Sequence, residues 1–342
     1  MKIMRISFVM FFVVLTCAGY GQNSEFNTKN LKVRTIMPSA MESAEEVDDN
    51  AESKFQLITY KNLRLYPVIA KQEFLDANKD ISAYTTLKEA MEKNEIKVTE
   101  KTSDNSNSGD LDGAATVNSL FVENTSKDTI FLMAGEVVSG GKQDRVLAEG
   151  MMLPPNSGKI DISVFCVEKN RWSGSSGNFD GYFAVSQNSL RKVVVKEKEQ
   201  RKVWAQVDSI TTKNEAVTGT NTYTAVKGSK IMTSDLKGYE SHFEDFATKN
   251  PGVIGVVVVT GDKVLGCDMF ATPDLFQRQF PNLLRSYAME ALTNGAPVAI
   301  EEAQVDKYFN QILGEDGVKE EFMKENGTIL KNRSREVNLS SF

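Results

Sequence analysis

Between Ala134 and Trp172 the chain places seven residues that apolar strands do not need for packing: Glu136, Lys142, Gln143, Arg145, Glu168, Arg171 and Trp172. They stand in three runs, Ala134-Gly135-Glu136, Gly140-Gly141-Lys142-Gln143-Asp144-Arg145 and Cys166-Val167-Glu168-Lys169-Asn170-Arg171-Trp172. Lys142, Arg145 and Arg171 suit an anion clamp, because guanidinium offers a planar fork to two oxygens and ammonium adds a point charge. Glu136 or Glu168 would then serve as general acid or base, or hold an arginine in place. The plainer alternative for Glu168 and Arg171, three residues apart, is a salt bridge that orients two strands. For Glu136 and Gln143 the neighbouring glycines favour a ligand site, since they permit close backbone approach. Farther along, Arg285-Ser286-Tyr287 lies on a helix whose apolar stripe takes up Tyr287 and leaves Arg285 to reach the same polar cluster.

Several common chemistries find no support. Gly135 and Gly140 have the separation of a P-loop, but Gly141 stands where the lysine is required, and Gln143 follows Lys142 in place of Ser or Thr. His242 is the only histidine and sits beside a helical apolar stripe, so packing is its expected role and neither a histidine triad nor a zinc site is expected. Asp110-Leu111-Asp112-Gly113 begins like a calcium loop, yet Ser119 falls where the bidentate Glu belongs. No metal and no cofactor is expected. Trp172 and Trp204 are expected as core aromatics. Cys166 and Cys267 either form a disulfide or, in the plainer reading, are two small buried residues on strands.

The N-terminus shapes the functional reading. Lys2 and Arg5, the apolar run Ile6 to Leu15 and the small-residue site Gly19-Tyr20-Gly21 form the pattern of a secretory signal peptide over residues 1–21. Cys17 offers the rival reading of a lipid anchor, opposed by the bulk of Thr16 before it. Either reading exports the chain, as a periplasmic or secreted protein. With 40 Lys and Arg against 46 Asp and Glu the net charge is −6, and its positive runs are interleaved with acids, as in Lys196 to Lys202. Nucleic acid is therefore excluded as a partner, because its binding rests on a basic patch that neutralises phosphates. No apolar run approaches the roughly 20 residues of a spanning helix.

These groups need a scaffold. Residues 22–54, acidic and poor in bulky apolar side chains, are expected as a flexible linker. From 55 to 342 a single α+β domain is expected, with 55–172 and 173–342 as alternative sub-domains. Its first half reads as a largely antiparallel sheet or sandwich, with strands at Phe55–Thr59, Leu63–Ile69, Ile96–Thr99, Val117–Glu123, Thr129–Ala134, Val146–Leu153 and Lys159–Val167, and one short helix at Tyr84–Lys93. The second half reads as helices packed on a sheet that contains a hairpin at Gly252–Phe270, turned at Gly261-Asp262. Pro281 is expected to divide Pro273–Gln279 from a second helix at Asn282–Thr293.

With these blocks in order, the chain resembles the ARG and rhodanese-phosphatase-superfamily-associated domain family, a bacterial domain of unknown function linked by name to ADP-ribosylglycohydrolases and phosphatases. The resemblance runs from about Tyr60 to the C-terminus. Its blocks are Leu63-Arg64-Leu65-Tyr66-Pro67, Leu87-Lys88-Glu89-Ala90, Gly135-Glu136, Gly141 to Arg145, Cys166 to Trp172 and Leu284-Arg285-Ser286-Tyr287-Ala288. It implies one α+β domain and brings no assigned reaction. The residues themselves favour an exported domain that binds a polar or anionic ligand, or a protein partner, through Glu136, Lys142, Gln143, Arg145, Arg171 and Arg285. The alternative is a hydrolase of phosphorylated or ribosylated small molecules with Glu136 or Glu168 as acid/base.

Overall fold

Val253 to Thr260 is almost wholly β-branched, so it has no polar face to offer solvent, and it is buried along its entire length. In the computed structural model, which describes residues 24–33, 59–101, 118–171, 177–249, 252–315 and 317–342, this run lies near the middle of the widest sheet. Residues 1–21, expected as a signal peptide, Cys17 among them, the Asp110–Gly113 fragment and Trp172 lie outside the described residues.

The chain opens with β1 (Leu31–Val33), β2 (Thr59–Tyr60) and β3 (Leu63–Ala70), then α1 (Gln72–Asn78), β4 (Thr85–Thr86), α2 (Leu87–Glu92) and β5 (Ile96–Glu100). A β-rich stretch follows: β6 (Ser119–Asn124), β7 (Ile130–Leu132), β8 (Glu136–Ser139), β9 (Arg145–Leu147), β10 (Met151–Leu153), β11 (Gly158–Cys166) and β12 (Gly181–Val185). Helices α3 (Asn188–Lys192), α4 (Gln200–Lys213) and α5 (Lys230–Phe243) lead to β13 (Val253–Thr260) and β14 (Lys263–Phe270). The chain closes with α6 (Pro273–Asn294), α7 (Glu302–Ile312), α8 (Val318–Asn326), β15 (Gly327–Asn332) and β16 (Arg335–Ser341).

The fold is α+β. The wide sheet runs β1-β3-β13-β14-β16-β15, with β2 also on β3; the second runs β12-β8-β9-β11-β6-β5; a third, smaller sheet runs β10-β7-β4. Pairing is antiparallel except between β4 and β7. The hairpin at β13 and β14 turns at Gly261, whose φ of +57° suits a two-residue turn. Apolar faces of α5, α6 and α7 pack on the wide sheet through Tyr239, Phe276, Leu283 and Phe309, while Val203, Val207 and Ile210 of α4 pack with Val137, Val146 and Val167. His242 stacks on Tyr60 with ring centres 4.9 Å apart, a packing role. No described helix is long and apolar enough to cross a membrane.

Four expectations require correction. The span 22–54 is not wholly a linker: Leu31–Val33 pairs with Val68–Ala70, and Phe26 is fully buried against Phe74. Its backbone is tied down as well, since Phe26 donates its N–H to Glu336 and accepts from Lys319. Pro281 does not divide a helix pair, because α6 runs through it; Phe276, Phe280, Leu283 and Tyr287 are buried on both sides, and this packing offsets the hydrogen bond that proline removes. Val146–Leu153 is not one strand but two, β9 and β10, in different sheets. The sheets also do not divide at residue 172, since β12 completes the second sheet and β3 enters the wide one beside β13.

Candidate functional site

Gly135 has φ of +91°, a conformation that favours glycine, and it turns the chain from β7 into β8 so that Glu136 enters the interior. The Glu136 side chain is fully buried. One carboxylate oxygen accepts from the Met133 N–H at 2.7 Å; the other accepts from the Tyr182 hydroxyl at 3.0 Å and from Gln279 Nε2 at 3.4 Å. Burial pushes its pKa from the ordinary 4.5 up to about 7, against the smaller opposing effects of these donors and of the Arg191 charge. Burial and the Glu136 charge together hold the Tyr182 hydroxyl well above its usual range. Near neutrality Glu136 is thus poised between acid and base. When protonated it has a hydrogen to donate, and turning the Gln279 amide over would present Oε1, which has no donor among the described residues.

Arg191 of α3 packs across Gly135, where an added Cβ would stand 2.7 Å from Arg191 Cγ. Its guanidinium meets Asp268 of β14 in two hydrogen bonds of 2.9 and 2.8 Å, with both side chains buried. Tyr287 and Ser340 also donate to Asp268, each at 2.5 Å. Nearby, Ser286 donates to the Ser186 carbonyl at 2.7 Å. This interior polar seam joins β8, α3, β14, α6 and β16.

The Gly140–Arg145 loop belongs to a different cluster. Arg171 reaches across it, donating to the carbonyls of Gly141 and Gly140 and pairing with Glu168 and Asp144. Asp144 in turn accepts from the Gly140 N–H and from the hydroxyls of Thr222 and Thr224. Arg145 is fully buried, donating to the Gln143 carbonyl at 2.6 Å and to Glu100 at 3.3 Å. Glu100 also accepts from the Lys142 N–H at 2.8 Å, and Gln143 donates to the Lys169 carbonyl at 3.4 Å. Glu168 and Arg171 therefore form the local salt bridge, and Arg145 and Arg171 spend donors on the protein itself.

The proposed residues are not brought into one place. Glu136 belongs to the seam, while Lys142, Gln143, Arg145, Glu168 and Arg171 frame the loop. Arg285 is elsewhere again, donating through Nε and Nη2 to Glu240 at 3.0 and 2.8 Å. It lines a cleft of about 270 Å³ between β12, α5 and α6. Phe183, Met232, Leu236 and Met289 form its apolar lining, and Lys227, Lys237 and Glu240 contribute the other charges. Cys166 and Cys267 are free, buried thiols and form no disulfide. Burial raises Cys166 to about 11 and Cys267 well above its ordinary value, which keeps both protonated.

A family model for the ARG and Rhodanese-Phosphatase-superfamily-associated Protein domain matches residues 53–339. The chain belongs to this family. The family domain takes in all three side-chain groups except Ser340, one residue beyond the match, and it leaves β1 outside. No curated protein and no solved structure matches the chain.

Sequence reasoning missed Glu100, Tyr182, Arg191, Asp268 and Gln279. Each meets its partner through pairing or packing of segments distant in the chain, which leaves no short spacing to find. Only Glu168 and Arg171, three residues apart, carried a local signal.

Proposed function

We propose that this family domain is exported and binds a small anionic ligand, and that the ligand's charge is met in the cleft beside Arg285. The carrying observation is electrostatic: Arg285, Lys227 and Lys237 against the single carboxylate of Glu240 give a positive concave surface in a chain of net charge −6. Such local charge concentrates anions against the overall field. In this reading Lys142, Gln143, Arg145, Glu168 and Arg171 keep the loop in shape, since their main donors and acceptors already face protein partners. Glu136 holds the seam. Export rests on Lys2, Arg5 and the apolar run that follows.

The test is titration calorimetry with phosphate, sulfate and acetate on the wild type, Arg285→Ala, Lys237→Ala and Lys142→Ala. Loss of anion binding in the first two variants with retention in the third supports the cleft. Binding that survives Arg285→Ala and disappears in Lys142→Ala moves the site to the glycine loop.

A hydrolase remains the second reading, favoured by the one observation that Glu136, at a pKa of about 7, lies 3.0 Å from the Tyr182 hydroxyl. It requires turnover of a phosphorylated or ribosylated small molecule that Glu136→Gln abolishes.

A further inference from the structure

We infer that the cleft beside Arg285 takes an anionic amphiphile, a short acyl or aryl chain ending in a carboxylate. This rests on the anion-binding reading and adds what the rest of the ligand must be. Beneath the charged rim the lining is apolar: Met232 and Met289 are buried, and Phe183 and Leu236 are half-buried. An inorganic anion would leave that floor facing water, whereas an uncharged apolar ligand would make no use of the cations. Paired methionines suit a chain of variable shape, because the thioether side chain is flexible and polarisable.

The volume limits the ligand. At about 270 Å³ the cleft falls just below the roughly 300 Å³ at which ordinary small-molecule pockets begin. A medium-length chain fits that limit better than a nucleotide or a long lipid. The headgroup has a defined partner: Nε and Nη2 of Arg285 are committed to Glu240, and Nη1 has no hydrogen-bond partner among the described residues. Glu240 thereby fixes the guanidinium at the edge of the apolar floor. Lys227 and Lys237 are both exposed on the same rim and add charge without a fixed geometry.

Calorimetry on the whole protein with acetate, butyrate, hexanoate and octanoate tests this, with octan-1-ol and octylammonium as headgroup controls. Affinity should rise about fourfold per added methylene until the cleft is filled. Octanoate should bind more tightly than octan-1-ol, octylammonium should bind least, and Arg285→Ala should weaken octanoate at least tenfold. Leu236→Asp, checked for folding by circular dichroism, should remove the chain-length dependence. Should that variant fail to fold, the wild-type series still decides. Equal affinity for acetate and octanoate, both lost in Arg285→Ala, would overturn the amphiphile and leave the anion site standing. Octan-1-ol binding as well as octanoate would overturn the charged half. Absence of binding by every carboxylate, phosphate and sulfate would overturn the anion reading itself.

Discussion

Arg191 and Asp268 face each other in a buried two-bond ion pair that links the helix after β12 to the wide sheet, with hydrogen bonds of 2.9 and 2.8 Å. Asp268 accepts two further hydroxyl donors, from Tyr287 and Ser340. A buried carboxylate so surrounded is stable only while its cation is present. Arg191→Ala should therefore lower the unfolding free energy by about 3–5 kcal/mol, measured by urea denaturation. Replacing both partners, as Arg191→Met with Asp268→Leu, should recover much of that loss. A cost under 1 kcal/mol for the single change would show that the pair is not what joins the two elements.

Glu136 makes stability depend on pH in the direction opposite to that of an ion-paired carboxylate. Its folded pKa of about 7 lies above the ordinary 4.5, so the folded state holds the proton more tightly than the unfolded chain. The contribution is fully present below pH 4.5 and is lost as the pH rises to about 7. That shift corresponds to roughly 3 kcal/mol. Glu136→Gln removes the titration, so its stability relative to the wild type should improve between pH 5 and pH 8. Parallel stability curves for the two proteins would rule out the raised pKa.

Gly135→Ala should be costly although it adds one methyl group. The residue has φ of +91°, and the new Cβ would meet the Arg191 stem at 2.7 Å. Backbone strain of this kind costs about 1–3 kcal/mol, to be read as a lower melting temperature. Gly158→Ala, at φ of +65° but with open space around it, isolates the backbone part of the effect.

Phe26→Ala tests whether the segment before β1 is structural. Truncating a fully buried phenylalanine costs about 3–5 kcal/mol, whereas the same change in a tether would cost nothing. Increased proteolysis near Leu31 should accompany the loss.

Legibility followed the range of the interactions. The Val253–Phe270 hairpin was visible because a β-branched run and a two-residue turn are local signals. By contrast, β1 contains three residues and shows no period, and its fixation depends on Val68–Ala70, Lys319 and Glu336, far along the chain. At Pro281 the local rule was sound, but burial of Phe280 and Leu283 on either side overrode it. The polar residues stood out against the apolar strands, yet their grouping required a register that sequence does not contain. Arg145 turned toward Glu100, and Glu136 toward Tyr182 and Gln279.

The order of the wide sheet has a kinetic consequence. Tyr66 pairs with Val257, and Cys267 with Ser341, so the sheet is complete only when β3, from early in the chain, and β16, from near its end, have both joined the β13–β14 hairpin. Contacts so distant in sequence form slowly, because the entropy of closing the intervening loop is lost before the contact stabilises anything. A nascent chain that ends before β13 leaves one edge of β3 unpaired, with Leu65 on one face and Val68 on the other uncovered. Such a fragment is a substrate for chaperones and proteases, and a premature stop even near residue 335 should yield no folded product, since it would also remove the Ser340 hydroxyl from Asp268.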